Sequence, residues 1–171
     1  YGISFIHQEL SLFRNLDIAT NIYVQNMPSS AGLLDRRRMS GDAKEILKRV
    51  GLEHCHPRQK VSELKIGEQQ LVEIGRTLAH DTKILILDEP TSSLTKQEIT
   101  ILFDIVRRLK AEGVAIVFIT HRMDEIYEIC DSVMIMRDGE KILKAGINDI
   151  SRTDVIRNML GRDVEEQYAH V

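Results

Sequence analysis

The stretch Ile84-Leu85-Ile86-Leu87-Asp88-Glu89-Pro90-Thr91-Ser92-Ser93-Leu94 decides how this chain is read. Four consecutive apolar residues end abruptly in two carboxylates, and a proline and a small-residue loop follow. A buried parallel strand delivers acids to the edge of a sheet in this way, and ligands of open α/β folds bind at that edge. One carboxylate there can hold Mg²⁺, as the Asp after a nucleotide-binding strand does, and the next can orient or deprotonate a water. An acid also caps turns at strand ends without further purpose, so the neighbouring sequence has to carry the functional reading.

Three neighbours do so. Upstream, Leu64-Lys65-Ile66-Gly67-Glu68-Gln69-Gln70 opens a segment with apolar residues at Leu71, Ile74, Leu78 and Ala79. The spacing predicts a helix with one buried face and Gly67 at or just before its N-terminus. Free N–H groups and the positive dipole end attract phosphate at such a point. Downstream, Val114-Ala115-Ile116-Val117-Phe118-Ile119 reads as a second strand of buried type and ends in Thr120-His121-Arg122. His121 then shares a predicted sheet edge with Asp88 and Glu89. Near the start, Gly2-Ile3-Ser4-Phe5-Ile6 is a short strand that leads into His7-Gln8-Glu9, and the Gln8 carbonyl can reach a metal ion or a water.

The rest of the chain organises around these sites. A helix is expected to start over residues 17–24, followed by a polar loop over 25–32, with no strand between 10 and 82. Arg36-Arg37-Arg38 precede a helix to Val50 that Gly51 stops. Thr95-Lys96-Gln97-Glu98 is a capping box, and the helix it opens buries Ile99, Leu102, Phe103, Val106 and Leu109. After a helix through Ile126 and Ile129, a strand over 132–136 reaches Arg137-Asp138-Gly139-Glu140, where Asp-Gly marks a tight hairpin, and returns over 141–144. Thr153 is expected to cap a last helix that ends at Gly161, with 164–171 as linker or tail.

Composition bounds the function. At 171 residues and 43% hydrophobic content the chain can bury a core, and a net charge of −3 argues against a nucleic-acid-binding surface. No apolar run has transmembrane length and no signal peptide is evident. Cys55 and Cys130 form no CxxC pair and read as reduced thiols. His54-Cys55-His56 lacks a second ligand pair at useful spacing and is not read as a metal site.

Together, Gln8, the 64–70 loop, Asp88-Glu89 and His121 resemble the nucleotide-binding domain of the ABC ATPase family, in family order and at similar spacing. The resemblance covers nearly the whole chain and implies an α/β, ABC-type P-loop NTPase core with an α-helical subdomain. It implies that Gln8 is the Q-loop glutamine, 64–70 the signature loop, 84–88 the Walker B strand, Glu89 the catalytic glutamate, Ser92-Ser93-Leu94-Thr95 the D-loop and His121 the switch histidine. Glu89 and His121 would be catalytic, and Asp88 with Gln8 would bind Mg²⁺. Gln8, Lys65, Gly67, Glu68 and Ser93 would contact ATP, with the signature residues serving a site on the opposing domain. Within the family the chain is similar to the first half of tandem sugar-importer ATPases of the ribose and galactose type. Ile66 before the signature glycine, Val72-Glu73-Ile74, Thr95 and Met159-Leu160-Gly161-Arg162-Asp163 carry that similarity.

The resemblance divides the chain into residues 1–9, the end of a core strand and the Q-loop; 10–82, the helical subdomain; 83–150, the RecA-like core; and 151–171, a C-terminal helix and linker. It implies as partners membrane permease subunits docked on the helical subdomain, a second nucleotide-binding half and, indirectly, a periplasmic sugar-binding protein, with no nucleic acid. The place it implies is the cytoplasmic face of the inner membrane, peripherally bound. The function implied is that of the ATP-hydrolysing subunit of a bacterial monosaccharide importer. Two other classes fit the same motifs: a soluble ABC ATPase acting on ribosomes or DNA, and a nucleotide-gated regulatory half with one silenced site.

Two departures from the family pattern stand out. Lys65 replaces the usual signature serine, whose hydroxyl touches the γ-phosphate in the family, and Glu68 replaces a glutamine. A lysine there either supplies a charge-assisted contact or crowds the site. The chain also contains no G-x-x-x-x-G-K-[ST]. It therefore reads as the larger, C-terminal part of one nucleotide-binding domain. As it stands it is expected neither to bind ATP tightly nor to hydrolyse it, and to be poorly stable, with apolar sheet edges exposed.

Overall fold

The computed structural model of the chain describes residues 2–30 and 32–160. The chain divides into two compact units after Ile119. That packing boundary falls inside the 83–150 segment that the sequence reading groups as one core. The expected helix end at Gly161, the tail from 164 and Tyr1 lie outside the described residues. Among the described residues no helix is long and apolar enough to cross a membrane.

The first unit runs β1 (Ile3–Ile6), α1 (Ile18–Tyr23), β2 (Ser29–Ser30), β3 (Leu33–Leu34), α2 (Arg36–Arg49), α3 (Ile66–Leu78), β4 (Ile84–Asp88), α4 (Lys96–Ala111) and β5 (Ala115–Ile119). Strand β4 is central in a parallel sheet ordered β1-β4-β5, with Ile6 beside Leu87 and Leu87 beside Phe118. Side chains alternate across a strand, so Ile6, Leu87 and Phe118 share one face with Leu85. Ile6, Leu85 and Leu87 are buried, and Phe118 packs edge-on against Phe103 of α4 at 6.1 Å between ring centroids.

The opposite face is also apolar but lies open. Ile3, Phe5, Ile84, Val117 and Ile119 are exposed, Val117 by 48%. This corrects the expectation of a fully buried strand at 114–119. Parallel strands carry apolar residues on both faces because both are normally covered, and in β5 the described residues leave one face in water.

Helices α1, α2 and α3 pack together over Ile18, Ile22, Ile46, Leu47, Leu71 and Ile74. Asp17 caps α1 by accepting from the Thr20 N–H (2.7 Å), and Asp35 caps α2 by accepting from that of Arg38 (2.9 Å). The three arginines therefore form the exposed first turn of α2 instead of preceding it. Gly51, with φ +73°, follows α2 as expected. The 25–34 region is not wholly loop, because β2 and β3 pair antiparallel. Helix α3 is buried nearly all round, not on one face: Gln69, Gln70, Glu73 and Thr77 are buried with Leu71, Val72 and Ile74, while Leu78 and Ala79 are only half-buried. Gly75 makes this possible, since a Cβ there would meet Ile46 Cγ2 of α2 at 2.9 Å. Thr95 and Glu98 form the expected capping box on α4. Ile105 joins the buried stripe of α4, and Ile99 is half-buried.

The second unit holds α5 (Met123–Ile129), β6 (Ser132–Arg137), β7 (Glu140–Gly146) and α6 (Arg152–Leu160). Strands β6 and β7 form the expected hairpin, with positive φ at Asp138 (53°) and Gly139 (81°), as an Asp-Gly tight turn requires. Ile126, Val133, Ile135 and Val155 form its core. Ser151, not Thr153, caps α6: its Oγ accepts from the Asp154 N–H (3.1 Å) and donates to the Asp154 carboxylate (2.6 Å).

Buried Asn21 holds the segment between β1 and α1. It accepts from the Phe13 N–H (2.7 Å) and donates to the carbonyls of Phe13 (3.0 Å) and Asp17 (2.9 Å). Asn21→Leu keeps the branching of the side chain but strands these backbone groups, so it is expected to cost at least about 1–3 kcal/mol in a denaturant melt. A loss below about 0.5 kcal/mol, the range of a neutral surface change, would show that the clasp carries no stability.

Candidate functional site

The strand ends bring three of the expected residues to one edge. Strands β1 and β4 run parallel with Ile6 opposite Leu87, so His7-Gln8 and Asp88-Glu89 leave neighbouring strands at the same end. Glu89 takes a left-handed conformation (φ 44°), which a non-glycine residue adopts at a cost. Its N–H donates to the Ile119 carbonyl at the end of β5 (2.9 Å), and its own carbonyl accepts from the Ser92 N–H (3.2 Å). With Pro90 and Thr91 buried behind it, the turn is held from both sides. Ser93 is exposed on the loop between this turn and α4.

The Asp88 carboxylate is half-buried and takes part in no hydrogen bond or ion pair among the described residues. Gln8, on the adjacent strand end, is exposed. A carboxylate with no partner and an amide carbonyl on neighbouring strand ends are both hard-oxygen donors, the ligand type of Mg²⁺, which binds through one or two carboxylates and keeps several waters.

The N-terminus of α3 gathers Lys65, Gly67 and Glu68. Lys65 is the N-cap residue, and its N–H donates to Glu68 Oε2 (2.9 Å). That is only half of a capping box, because an ammonium has no lone pair to accept the N–H of Glu68. Glu68 Oε1 meets Nε2 of exposed His54 at 2.8 Å. Partial burial pushes the Glu68 carboxyl up, but the His54 and Lys65 hydrogen bonds, with the charges of both residues, outweigh it and hold the carboxyl below its ordinary value. Gly67 is buried, and a Cβ there would lie 2.3–2.5 Å from the Glu98 carboxylate. Glu98 is itself committed to Thr95 (2.7 Å to both N and Oγ1). The glycine thus lets the starts of α3 and α4 touch, a reason for it that lies within the chain.

His121 belongs to the second unit and is exposed. Its turn is fixed by buried Glu125, which accepts from Thr120 Oγ1 (2.9 Å) and pairs with Arg122 (3.0 Å), while the Arg122 N–H donates to Thr120 Oγ1 (3.0 Å). Sequence reasoning missed Glu125, although an acid four residues past a histidine at a helix start is a visible signal. It also missed Glu73. This fully buried carboxylate in α3 accepts from the N–H (3.3 Å) and the hydroxyl of Ser11 and pairs with Arg76 (3.0 Å). Ser11 lies three residues past Gln8, so the clasp ties the segment after Gln8 to α3.

The sequence model of the ABC transporter family matches residues 1–92, more than half of the chain. The chain belongs to the ABC transporter family. Its relatives include an Agrobacterium fabrum protein named for ribose/galactose/methyl galactoside import ATP binding, 45% identical over 98% of this chain and 33% of its own length. Others are the arabinose import ATP-binding protein AraG of Azospirillum brasilense (43%, over 99% and 32%) and the ribose import ATP-binding protein RbsA of Bacillus cereus (41%, over 98% and 34%). The chain spans about a third of the length of these curated relatives. Among solved structures, the MJ1267 ATP-binding cassette of an ABC transporter superposes with a TM-score of 0.75 at 26% identity, over 92% of this chain and 68% of that one. The cbiO1 component of the Clostridium perfringens cbiONQ transporter complex, at 23% identity and a TM-score of 0.71 over 97% of this chain and 65% of that one, agrees in fold. The resemblance to sugar-importer ATPases and the ABC-type α/β fold, both read from the sequence, are borne out.

The half-made cap of α3 generates a test. Lys65→Ser adds the missing acceptor for the Glu68 N–H and is expected to raise stability by about 1 kcal/mol, read as a higher melting midpoint. An unchanged or lowered midpoint would show that the first turn of α3 does not depend on its cap.

Proposed function

We propose that this chain is part of the ATP-hydrolysing subunit of a bacterial ABC importer for a monosaccharide. The observation that carries the proposal is the emergence of Asp88 and Glu89 from the central strand beside Gln8, in a chain whose relatives are named for sugar import and ATP binding. The substrate would be ATP, held between two such domains. Asp88, with Gln8, is the residue to hold Mg²⁺. When bound, this ion neutralises charge on the phosphates. The left-handed turn places Glu89 just past the strand end, and its carboxylate is the group to orient the attacking water and take its proton. His121 donates a hydrogen bond to the γ-phosphate, its loop held by Glu125.

Lys65, Gly67, Glu68 and Ser93 serve ATP on the opposing domain. There the ammonium of Lys65 makes a charge-assisted contact, stronger than a neutral one. Because Lys65 does not cap α3, its side chain is free for this contact. The clasp of Ser11 by Glu73 supports a mechanical role: movement at Gln8 is passed to α3 and so to the helical segment 10–82, the part proposed to dock on permease subunits. The protein then sits on the cytoplasmic face of the membrane through that partner, with a periplasmic sugar-binding protein acting from the other side.

Glu89→Gln in the intact transporter tests the catalytic assignment. It keeps shape and hydrogen bonding but removes the charge. ATP should still bind while turnover falls by about 10²-fold or more, the scale of general-base catalysis. Near-normal turnover in a homogeneous preparation would make Glu89 a strand-end cap and nothing more.

A further inference from the structure

We propose that His54, Cys55 and Glu68 form a binding site for a thiophilic divalent cation, Zn²⁺ by its chemistry, where the loop after α2 meets the start of α3. One ligand atom from each of the three residues lies within 4.8 Å of the other two. Their proximity comes from the fold, since His54 and Cys55 lie more than ten residues from Glu68 in sequence. His56, the other histidine of the triplet, does not take part. Its Nδ1 accepts from the Arg58 N–H (3.2 Å).

The ligands sit on backbone that is already fixed. The Cys55 N–H donates to the Leu52 carbonyl (3.0 Å), and that of Leu52 to Leu47 at the end of α2 (2.8 Å). On the far side, the carbonyls of Pro57 and Gln59 accept from the N–H groups of Ala19 (2.9 Å) and Ile18 (3.0 Å). Glu68 divides its two oxygens. Oε2 is anchored by the Lys65 N–H, and Oε1 faces His54. A carboxylate oriented by an outer hydrogen bond is what a metal ligand needs to hold its direction.

The donor set selects the metal class. Imidazole nitrogen, thiolate sulfur and carboxylate oxygen are the three ligand types of Zn²⁺, and three protein ligands leave a fourth position for water. Mg²⁺ and Ca²⁺ seek oxygen alone. Without metal, burial and the Glu68 charge push the Cys55 thiol up to about 11, so the sulfur carries its proton near neutrality. On binding, the thiol proton leaves to solvent and the sulfur lone pair forms the bond to the dication. No electron changes hands. A bound ion would tie the 52–56 loop to the first turn of α3, the turn that bears Lys65 and Gly67.

Co²⁺ is the probe, because a thiolate ligand gives it a near-ultraviolet charge-transfer band. Titration of the full chain should produce this band, and Zn²⁺ should abolish it. Calorimetry with Zn²⁺ alone should show one site. Cys55→Ser should remove the band and, like His54→Ala, weaken Zn²⁺ by roughly tenfold or more. His54 is exposed, so its variant keeps the test valid if the cysteine variant folds poorly. Cys130→Ser should keep both band and affinity. Absence of the band in the natural sequence would overturn the proposal. So would its loss in Cys130→Ser or an unchanged Zn²⁺ affinity in His54→Ala.

Discussion

The pairing of β4 on both sides is the constraint on which the rest of the structure depends. Leu85 and Leu87 are buried against the helical side, while β1 and β5 fix the strand's height and direction. A strand held in this way cannot slip by one residue without turning Leu87 outward and Asp88 inward. Burial of two leucines therefore sets where the carboxylates emerge. The Glu89 N–H bond to Ile119 extends that control one residue beyond the sheet. It holds a left-handed turn that no propensity would favour at a glutamate.

The start of α3 is the second centre of the molecule, and it is crowded with charge. Glu68 lies in the first turn, where the helix dipole favours an anion, and two neighbours bind it. Glu98 presses on Gly67 from the start of α4, so α3 and α4 share a contact at their first turns. Glu73, further along the same helix, reaches back to Ser11. Helix α3 is thus joined to the segment after Gln8, to the loop after α2 and to the start of α4.

Much of this was legible in the sequence because the signals were local. The Ile84-Leu85-Ile86-Leu87 run, the Thr95-Glu98 box and the Asp138-Gly139 turn each contain their own cause within a few residues. What stayed hidden depended on distant partners. Gln69, Gln70 and Glu73 read as the polar side of an amphipathic helix, yet they are buried. Gln69 bonds the Leu64 carbonyl (2.9 Å), and Glu73 bonds Ser11, 62 residues away in sequence. Strand β5 reads as buried because periodicity reports apolar residues and not what covers them. The short pair β2-β3 has too few residues for any period. Ser151 and Thr153 are both capping residue types, and only the bond to Asp154 distinguishes them.

The central claim is that the half-buried, uncommitted Asp88 holds the metal at a nucleotide site while Glu89 beside it does separate work. The Mg²⁺ dependence of ATP turnover in the intact transporter tests it most directly, with Asp88→Asn compared against the natural sequence. The account predicts that the variant needs roughly tenfold more Mg²⁺ or beyond for half-maximal rate, the scale on which loss of groups around a metal weakens binding. Identical Mg²⁺ dependence in the two proteins, in preparations folded to the same extent, would contradict it.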